Sequence, residues 1–109
     1  MEIGFVSTFL PQRCGIATYT NFLATALKNA APDLKIRIVA EREAEAKRQE
    51  NFVVNPCWSR EHDIAAEIAP HIEGVDIVHI QHEYAIFGYS ADLVRLLEAV
   101  PKGVKKVIT

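Results

Sequence analysis

Short apolar runs alternate along the chain with segments whose apolar residues recur at helical spacing. The first run, Ile3 to Thr8, lacks an in/out alternation of polar and apolar residues, which is typical of parallel strands covered on both faces, whereas Leu34 to Ala40 alternates. This pattern predicts five strands: Ile3 to Thr8, Leu34 to Ala40, Phe52 to Val54, Val75 to Gln81, and Val104 to Thr109. Pro56 is expected to stop the third strand, because proline cannot donate to a sheet.

The first predicted helix begins at Ile16 and ends before Pro32. Its apolar residues fall at helical spacing: Ile16, Tyr19, Phe22, Leu23, Ala26 and Leu27. The segment from Glu41 to Glu50 is charged throughout and has no apolar face. We therefore expect it to form a solvated helix or a mobile loop.

Two further helices are predicted in the second half of the chain. Ser59 can cap a helix from Arg60 to about Glu73, which Pro70 should kink or shorten and Gly74 should stop. Ser90 is expected to cap the last helix, which Pro101 and Gly103 end. The apolar residues of this last helix are Leu93, Leu96, Leu97 and Val100.

Strands that alternate with helices predict an α/β fold with three layers, in which helices cover both faces of a mostly parallel sheet. Right-handed crossovers favour the strand order 3-2-1-4-5. At 109 residues, the chain is expected to form a single domain over residues 1-109.

The composition excludes several classes of protein. Lys and Arg number 12 against 14 Asp and Glu, a net charge of −2, so there is no basic footprint for nucleic acid and no polybasic membrane patch. No apolar run approaches the roughly 18 residues of a transmembrane segment. Two cysteines, Cys14 and Cys57, are too few for a disulfide scaffold. We expect a cytoplasmic protein in a reducing compartment.

The predicted topology places a crevice at the carboxyl ends of the first and fourth strands, where the winding direction reverses. The loop from Phe9 to Gly15 leaves the first strand, and the following helix points its N-terminus into the crevice. Free N–H groups and the helix dipole favour an anion there, and phosphate is the obvious candidate. Gly15 would permit a close backbone approach and Arg13 could add a forked positive charge. A tight turn and a solvated cation remain alternative interpretations.

The second loop, from Gln81 to Tyr89, carries a denser set of polar and aromatic residues. His82 lies past the strand, where an imidazole can donate to a sugar hydroxyl or act as an acid or base. Glu83 can accept from hydroxyls or only cap the loop, and exposed aromatic residues such as Tyr84 and Phe87 can stack on a sugar ring. His79, at mid-strand, is expected to be a satisfied core histidine.

Other site chemistries have less support in the sequence. His79 and His82 could suggest zinc, but no further ligands gather at suitable spacing, so we predict no metal and no cofactor. The dinucleotide fingerprint and the phosphate loop ending in Gly-Lys-Ser/Thr are both absent. Cys14 at a helix N-terminus could pair with His82 as a nucleophile, but no third orienting group is evident.

Two blocks of the sequence, FVSTFLPQRCGIATYTNFLATAL and VDIVHIQHEYAIFG, resemble the N-terminal domain of group 1 retaining glycosyltransferases. These enzymes use nucleotide sugars and consist of two facing Rossmann-like domains. The motifs P-x-x-C-G-I-A-x-Y-T and H-x-Q-H-E-Y-x-I-F-G carry the likeness together.

The resemblance implies a role for each loop in hexosyl transfer from a nucleotide-sugar donor to a sugar or glycan acceptor. Gly15 would lie against the donor diphosphate with Arg13 nearby, and His82 would contact the transferred sugar as the catalytic residue. The acceptor side would be shaped by Glu83, Tyr84, Phe87 and Gly88. Family members need no metal and retain the anomeric configuration. Ala85 and Tyr89 stand where relatives often have glycine.

The resemblance also implies that the chain stops inside its fifth strand and lacks the donor-binding domain. An isolated piece of this kind should not turn over, and it should expose surface that favours self-association into a homo-oligomer through its last helix and strand. Two alternatives remain: a non-catalytic half-Rossmann binding or self-assembly module, and a flavodoxin-like phosphate or nucleotide binder.

Overall fold

The computed structural model describes residues 1–87 and 91–109, with Tyr84 described by its backbone alone. Six strands lie in these residues: β1 (Glu2–Ser7), β2 (Lys35–Glu41), β3 (Lys47–Gln49), β4 (Phe52–Trp58), β5 (Ile77–Ile80) and β6 (Lys105–Ile108). The α-helices are α1 (Gly15–Ala30), α2 (Ile64–Ile68), α3 (Tyr84–Phe87) and α4 (Asp92–Ala99). A 3-10 turn, Ala69–His71, extends α2.

The strands form one sheet in the order β3-β4-β2-β1-β5-β6. Five of them are parallel, and β3 pairs antiparallel with β4. The α/β class and the mostly parallel sheet are therefore confirmed. The order differs from the expected 3-2-1-4-5 because β3 is added at one edge, next to β4; the five parallel strands have the neighbours that the expected order gives them.

The extra strand corrects the prediction for the charged segment 41–50. The three residues of β3 are exposed and polar, so no apolar pattern announces a strand. A tight turn that includes Asn51 at φ +62° folds the chain back, which places Gln49 opposite Phe52. Backbone hydrogen bonds alone can hold such an edge strand, and its positive charges discourage pairing with another sheet.

The fourth strand, β4, is longer than predicted and does not end at Pro56. β3 reaches only as far as Val54, so Pro56 lies where β4 has no described neighbour on that side and its missing N–H costs no ladder bond. Ala40 pairs with Pro56 and Glu41 with Trp58, so Cys57 is an extra residue in a β-bulge. The bulge turns Trp58 to the same face as Cys57, the opposite face from Val54.

Each face of the sheet has its own apolar core. Under α1, the core contains Phe5, Ile36, Ile38, Val54 and Ala24. On the opposite face, α2, α3 and α4 cover a larger cluster that includes Val6, Val39, Trp58, Val78, Ile68, Ile86 and Leu96. Helices on both faces of the sheet make the three layers that the alternation of elements predicts.

The first two helices differ from the prediction, α1 in the side that it buries and α2 in the residue at which it begins. In α1 the buried positions are Ala17, Thr20 and Ala24, whereas Phe22, expected on the apolar side, is 67% exposed. The second helix begins at Ile64 and not at Arg60, because Asp63 caps it by accepting from the N–H of Ala66 at 3.2 Å. Residues 59–62 form a turn instead.

The two residues predicted to shorten and stop the second helix both lie just after α2. Pro70 lies in the 3-10 turn after α2, and Gly74 adopts a left-handed φ of +80° that favours glycine. The last helix begins at Asp92 with Ala91 as its N-cap, and the predicted Ser90 cap lies outside the described residues. Within residues 1–87 and 91–109, no helix combines the length and apolar character needed to cross a bilayer.

Candidate functional site

Four loops leave the sheet at one edge, the carboxyl ends of β1, β2, β4 and β5. Parallel pairing puts these ends side by side, with β1 between β2 and β5. The helices that follow β1 and β4 cover opposite faces, so the winding direction reverses next to β1. In sheets of this kind the reversal opens a crevice suited to a ligand.

The first loop ends in the N-cap of α1. The Sγ atom of Cys14 accepts from the N–H of Ala17 at 3.4 Å and lies 3.0 Å from Oγ1 of Thr8. Arg13, Cys14 and Gly15 are all exposed at this helix end. The positive end of a 16-residue helix and an exposed guanidinium make the position suitable for an anion.

Gly15 is not required by the backbone at its position. A Cβ placed there would meet no atom within 4 Å, and the residue does not have a left-handed φ. Its only structural contribution is open space beside the helix end. That space is what a close-lying ligand would use.

The second loop begins with buried Gln81, whose N–H donates to the carbonyl of Val6 at 3.0 Å. His82 follows and is half-buried, and its N–H donates to the carbonyl of Thr109 at 2.8 Å. The imidazole stacks on Phe87, with 5.7 Å between ring centroids and 8° between ring planes. The ring of His82 is therefore held in a defined orientation at the strand end.

Glu83 caps the short helix α3. Its Oε2 accepts from the N–H of Ala85 at 2.6 Å, and its carbonyl accepts from the N–H groups of Ile86 and Phe87 at 3.0 Å each. The sequence is compatible with two roles for Glu83, capping the loop or accepting from hydroxyls, and these contacts are the capping role. It engages one carboxylate oxygen, Oε2, with the backbone of α3.

Phe87 is 3% exposed, so the expectation that its ring is an exposed stacking surface is wrong. It packs between His82 and Trp58, with 6.3 Å between the centroids of its ring and that of Trp58. Tyr84 begins α3, and Gly88 lies outside the described residues together with Tyr89. The structure thus assigns Phe87 to the support of His82.

His79 is half-buried on the α1 face. Its Nε2 lies 2.6 Å from Oγ1 of Thr109, and its ring centroid is 5.0 Å from that of Phe5. Burial lowers the pKa of this imidazole below its ordinary value of 6.5. His79 therefore has a partner within the fold, in agreement with its interpretation as a structural histidine.

The two predicted loops meet at one rim. Ile16, at the start of α1, packs against the apolar cluster that contains Ile86 and Phe87. Arg60 donates to the carbonyl of Ala85 at 3.0 Å and to Glu41, whose carboxylate also accepts from Gln12 of the first loop at 2.8 Å. The segment Arg13 to Gly15 and the segment after Gln81 therefore lie on the same side of the molecule.

A charged pair that no sequence pattern announces lies at this rim. Glu41, the last residue of β2, is 3% exposed and accepts from Nε and Nη2 of Arg60 at 2.7 Å each. Burial alone would raise the pKa of the Glu41 carboxyl, but hydrogen bonds from Arg60 and Gln12 and the charge of Arg60 outweigh it and hold the pKa below its ordinary value. The only signal in the sequence is a carboxylate placed directly after an apolar strand.

Two open cavities flank these loops. One of about 550 Å³ lies at the rim and is lined by Gln12, Glu41, Glu43, Ser59, Arg60 and Glu61. A larger one of about 590 Å³ lies between α1 and β3, with Phe9, Asn21 and Phe52 among its lining residues. Neither cavity is lined by a described residue of the loop after β5, but Arg60 in the lining of the rim cavity donates to the carbonyl of Ala85 in that loop, so we take the rim as the candidate site.

In the part of the chain that the structure describes, no three side chains of His, Cys, Asp or Glu form a group that could hold a metal ion. Cys14 and Cys57 are both free thiols.

In comparisons with known proteins, no family model, no curated protein and no solved structure matches this chain.

Proposed function

We propose that this chain is the acceptor-side, Rossmann-like domain of a nucleotide-sugar-dependent retaining glycosyltransferase that transfers a hexosyl group to an acceptor hydroxyl. The observation that carries the proposal is the common rim, at which Glu41 and Arg60 join the loop that leads into α1 to the loop of His82 and Glu83. The resemblance of the two loop sequences to that family assigns the rim to sugar chemistry.

Each group at the rim has a chemical role in this proposal. Arg13 and the N–H groups at Gly15 bind the donor diphosphate, because helix N-termini and guanidinium groups favour phosphate. The imidazole of His82 donates a hydrogen bond to a hydroxyl of the transferred sugar. Glu83 and the residues from Tyr84 to Gly88 shape the acceptor side, with Phe87 holding His82 from behind.

In the proposal most donor contacts belong to a second domain, as in the family that the chain resembles. We therefore expect the 109 residues alone to bind a nucleotide sugar weakly, with a Kd of roughly millimolar order, and not to transfer sugar. Sustained transfer by the isolated chain would overturn this part of the proposal.

The binding test is an amide NMR titration of the ¹⁵N-labelled chain with UDP-glucose, GDP-mannose, free hexoses and inorganic phosphate. Shifts should concentrate in residues 13–16 and 82–87. Arg13→Ala and His82→Ala should reduce them, whereas the matched variants Arg48→Ala and His62→Ala, which change exposed residues outside the two loops, should not.

Two other outcomes would replace the proposal. Equal shifts from inorganic phosphate and from nucleotide sugars, with no response to hexoses, would favour a flavodoxin-like phosphate or nucleotide binder. Shifts confined to the cavity between α1 and β3 would remove the rim as the site.

A further inference from the structure

Arg60 contacts two separate elements at the rim. Its Nε and Nη2 form a two-pronged pair with the carboxylate of Glu41, and its Nη1 donates to the carbonyl of Ala85 at 3.0 Å. A guanidinium can make both contacts at once because its N–H groups are fixed in one plane. The side chain therefore links the end of β2 to α3.

Glu41 determines where the guanidinium of Arg60 lies. Its carboxylate is almost fully buried, whereas the side chain of Arg60 is 38% exposed. A buried carboxylate strongly favours keeping its cationic partner, since losing that partner would leave the charge unpaired. The paired geometry holds Arg60 in one direction, toward Ala85.

The same carboxylate holds the loop after β1. Nε2 of Gln12 donates to Oε1 of Glu41 at 2.8 Å, and Oε1 of Gln12 accepts from the N–H of Phe9 at 2.9 Å. Glu41 is thus the shared acceptor for the loop that precedes α1 and for the residue that holds α3. One buried group connects both halves of the candidate site.

The part of α3 that lies in the described residues, Tyr84–Phe87, is a single turn that needs such support. A single helical turn is unstable by itself, so its position depends on tertiary contacts. Ile86 and Phe87 anchor its apolar side, and Phe87 in turn stacks on His82. A shift of Ala85 would therefore move the surface on which the imidazole rests.

We propose that Arg60, directed by Glu41, is a positioning residue that sets the orientation of the loop carrying His82 and Glu83. It acts through Ala85 and Phe87 and need not touch a ligand. Its importance for sugar transfer rests on the proposed function, but the positioning itself is a property of the unliganded chain and can be measured without any sugar.

The fold contains a matched control at the opposite edge of the sheet. There Arg37 pairs with both carboxylate oxygens of Glu2, at 3.2 and 3.0 Å, and donates to the carbonyls of His71 and Glu73 at 2.9 and 3.0 Å. This second Arg–Glu pair also links a strand to backbone carbonyls, but at the amino ends of the strands.

The experiment compares two double variants, Glu41→Gln with Arg60→Met and Glu2→Gln with Arg37→Met, in the full chain. Removing both charges of a pair avoids leaving one of them unpaired. Proton NMR of the imidazole signals and hydrogen exchange of the amides are recorded in each variant. A third variant, Arg60→Lys, keeps the charge but cannot span Glu41 and Ala85 with the same geometry.

In the Glu41/Arg60 variant we expect the ring signals of His82 to shift and the amides of residues 85–87 to exchange about tenfold faster, because α3 has lost a charge-assisted contact. Amides of β1 should stay within about twofold of wild type if the fold is intact. In the Glu2/Arg37 variant the signals of His71 should respond and those of His82 should not. Arg60→Lys should resemble the Glu41/Arg60 variant at His82.

The proposal is overturned if both double variants shift His82 equally, which would indicate general loosening, or if neither does. It is also overturned if the Arg60→Lys variant keeps the wild-type imidazole signals of His82. The positive charge at position 60, and not the contact with Ala85, would then determine the orientation of the loop. None of these readouts uses a nucleotide sugar, so a failure here is distinguishable from a failure to bind one.

Discussion

The imidazole of His82 lies nearly parallel to the ring of Phe87, with 8° between their planes, and the ring of Phe87 also stacks on the indole of Trp58. The indole is fixed in its turn, because Nε1 donates to the carbonyl of Val39 at 2.8 Å inside the core. A row of three rings therefore runs from the interior to the candidate site, and its middle ring can be tested by substitution.

Phe87→Ala should destabilise the chain by about 3–5 kcal/mol, because it removes a buried ring and leaves a cavity beside Trp58. Phe22→Ala, which changes the exposed phenylalanine of α1, should stay within about 0.5 kcal/mol of wild type. Urea unfolding followed by the fluorescence of the single tryptophan measures both variants. A similar loss of unfolding free energy in both variants would show that the ring of Phe87 is not buried against Trp58.

Stability should fall in acid through Glu41. Its folded-state pKa lies below the ordinary value of 4.5, because the hydrogen bonds and charge of Arg60 outweigh burial. The contribution is thus fully present above about 4.5 and is lost as the pH falls through the folded-state pKa. Glu41→Gln should flatten this acid limb in urea unfolding series, whereas Glu98→Gln, on the exposed side of α4, should leave it unchanged. An unchanged limb in Glu41→Gln would contradict the assignment.

The two cysteines should differ sharply in reactivity. Burial, followed by the charge of Glu67, raises the pKa of the Cys57 thiol to about 11, with Arg42 acting in the opposite direction. Cys14 is exposed at the start of α1. Iodoacetamide at about pH 8 should label the native chain once, at Cys14, because Cys57 has almost no thiolate at that pH.

Mass spectrometry of digested chain identifies the labelled site, and Cys14→Ser should prevent labelling until urea is added. Equal labelling of both cysteines in the native chain would be inconsistent with the burial of Cys57.

Self-association through α4 and β6 is the fourth prediction. In the described residues no strand pairs with the outer side of β6, and Val107 and Ile108 on it are 41% and 48% exposed. An exposed strand edge with apolar side chains favours pairing between copies. Sedimentation velocity at micromolar concentrations should show a mass above 12.2 kDa that rises with concentration.

Val107→Lys should reduce this association, and Leu10→Ser, which changes an exposed apolar residue in the loop after β1, should not. A monomer that unfolds cooperatively throughout the micromolar range would rule the prediction out.

Much of the fold could be predicted because parallel strands covered on both faces need apolar runs, and five such runs stand out in the sequence. The strand β3 could not be predicted, because an exposed edge strand is held by backbone hydrogen bonds and its residues, Lys47–Gln49, have no apolar pattern. The start of α2 could not be predicted because Ser59 and Asp63 are both good caps, and residues 59–62 form a local turn in which the N–H of His62 donates to the carbonyl of Ser59.

The candidate site was only partly foreseeable for a similar reason. Topology alone brings the ends of neighbouring parallel strands together, which is how the loops of Arg13 and His82 could be paired before any coordinates. The partnership of Glu41 and Arg60 depends on side-chain directions across two loops, and no local pattern encodes it. The burial of Phe87 likewise depends on Trp58, which is remote along the chain.

The bulge at Cys57 makes the length of β4 as important as its composition. If β4 kept its regular alternation through Cys57, the indole of Trp58 would lie under α1, and Phe87 and His82 would lose the ring behind them. Position 57 already faces the same cluster as Trp58, so deleting it would straighten the strand and leave the indole on its present face. The orientation of the indole should therefore survive loss of the bulge residue, whereas a regular strand of the present length would reverse it.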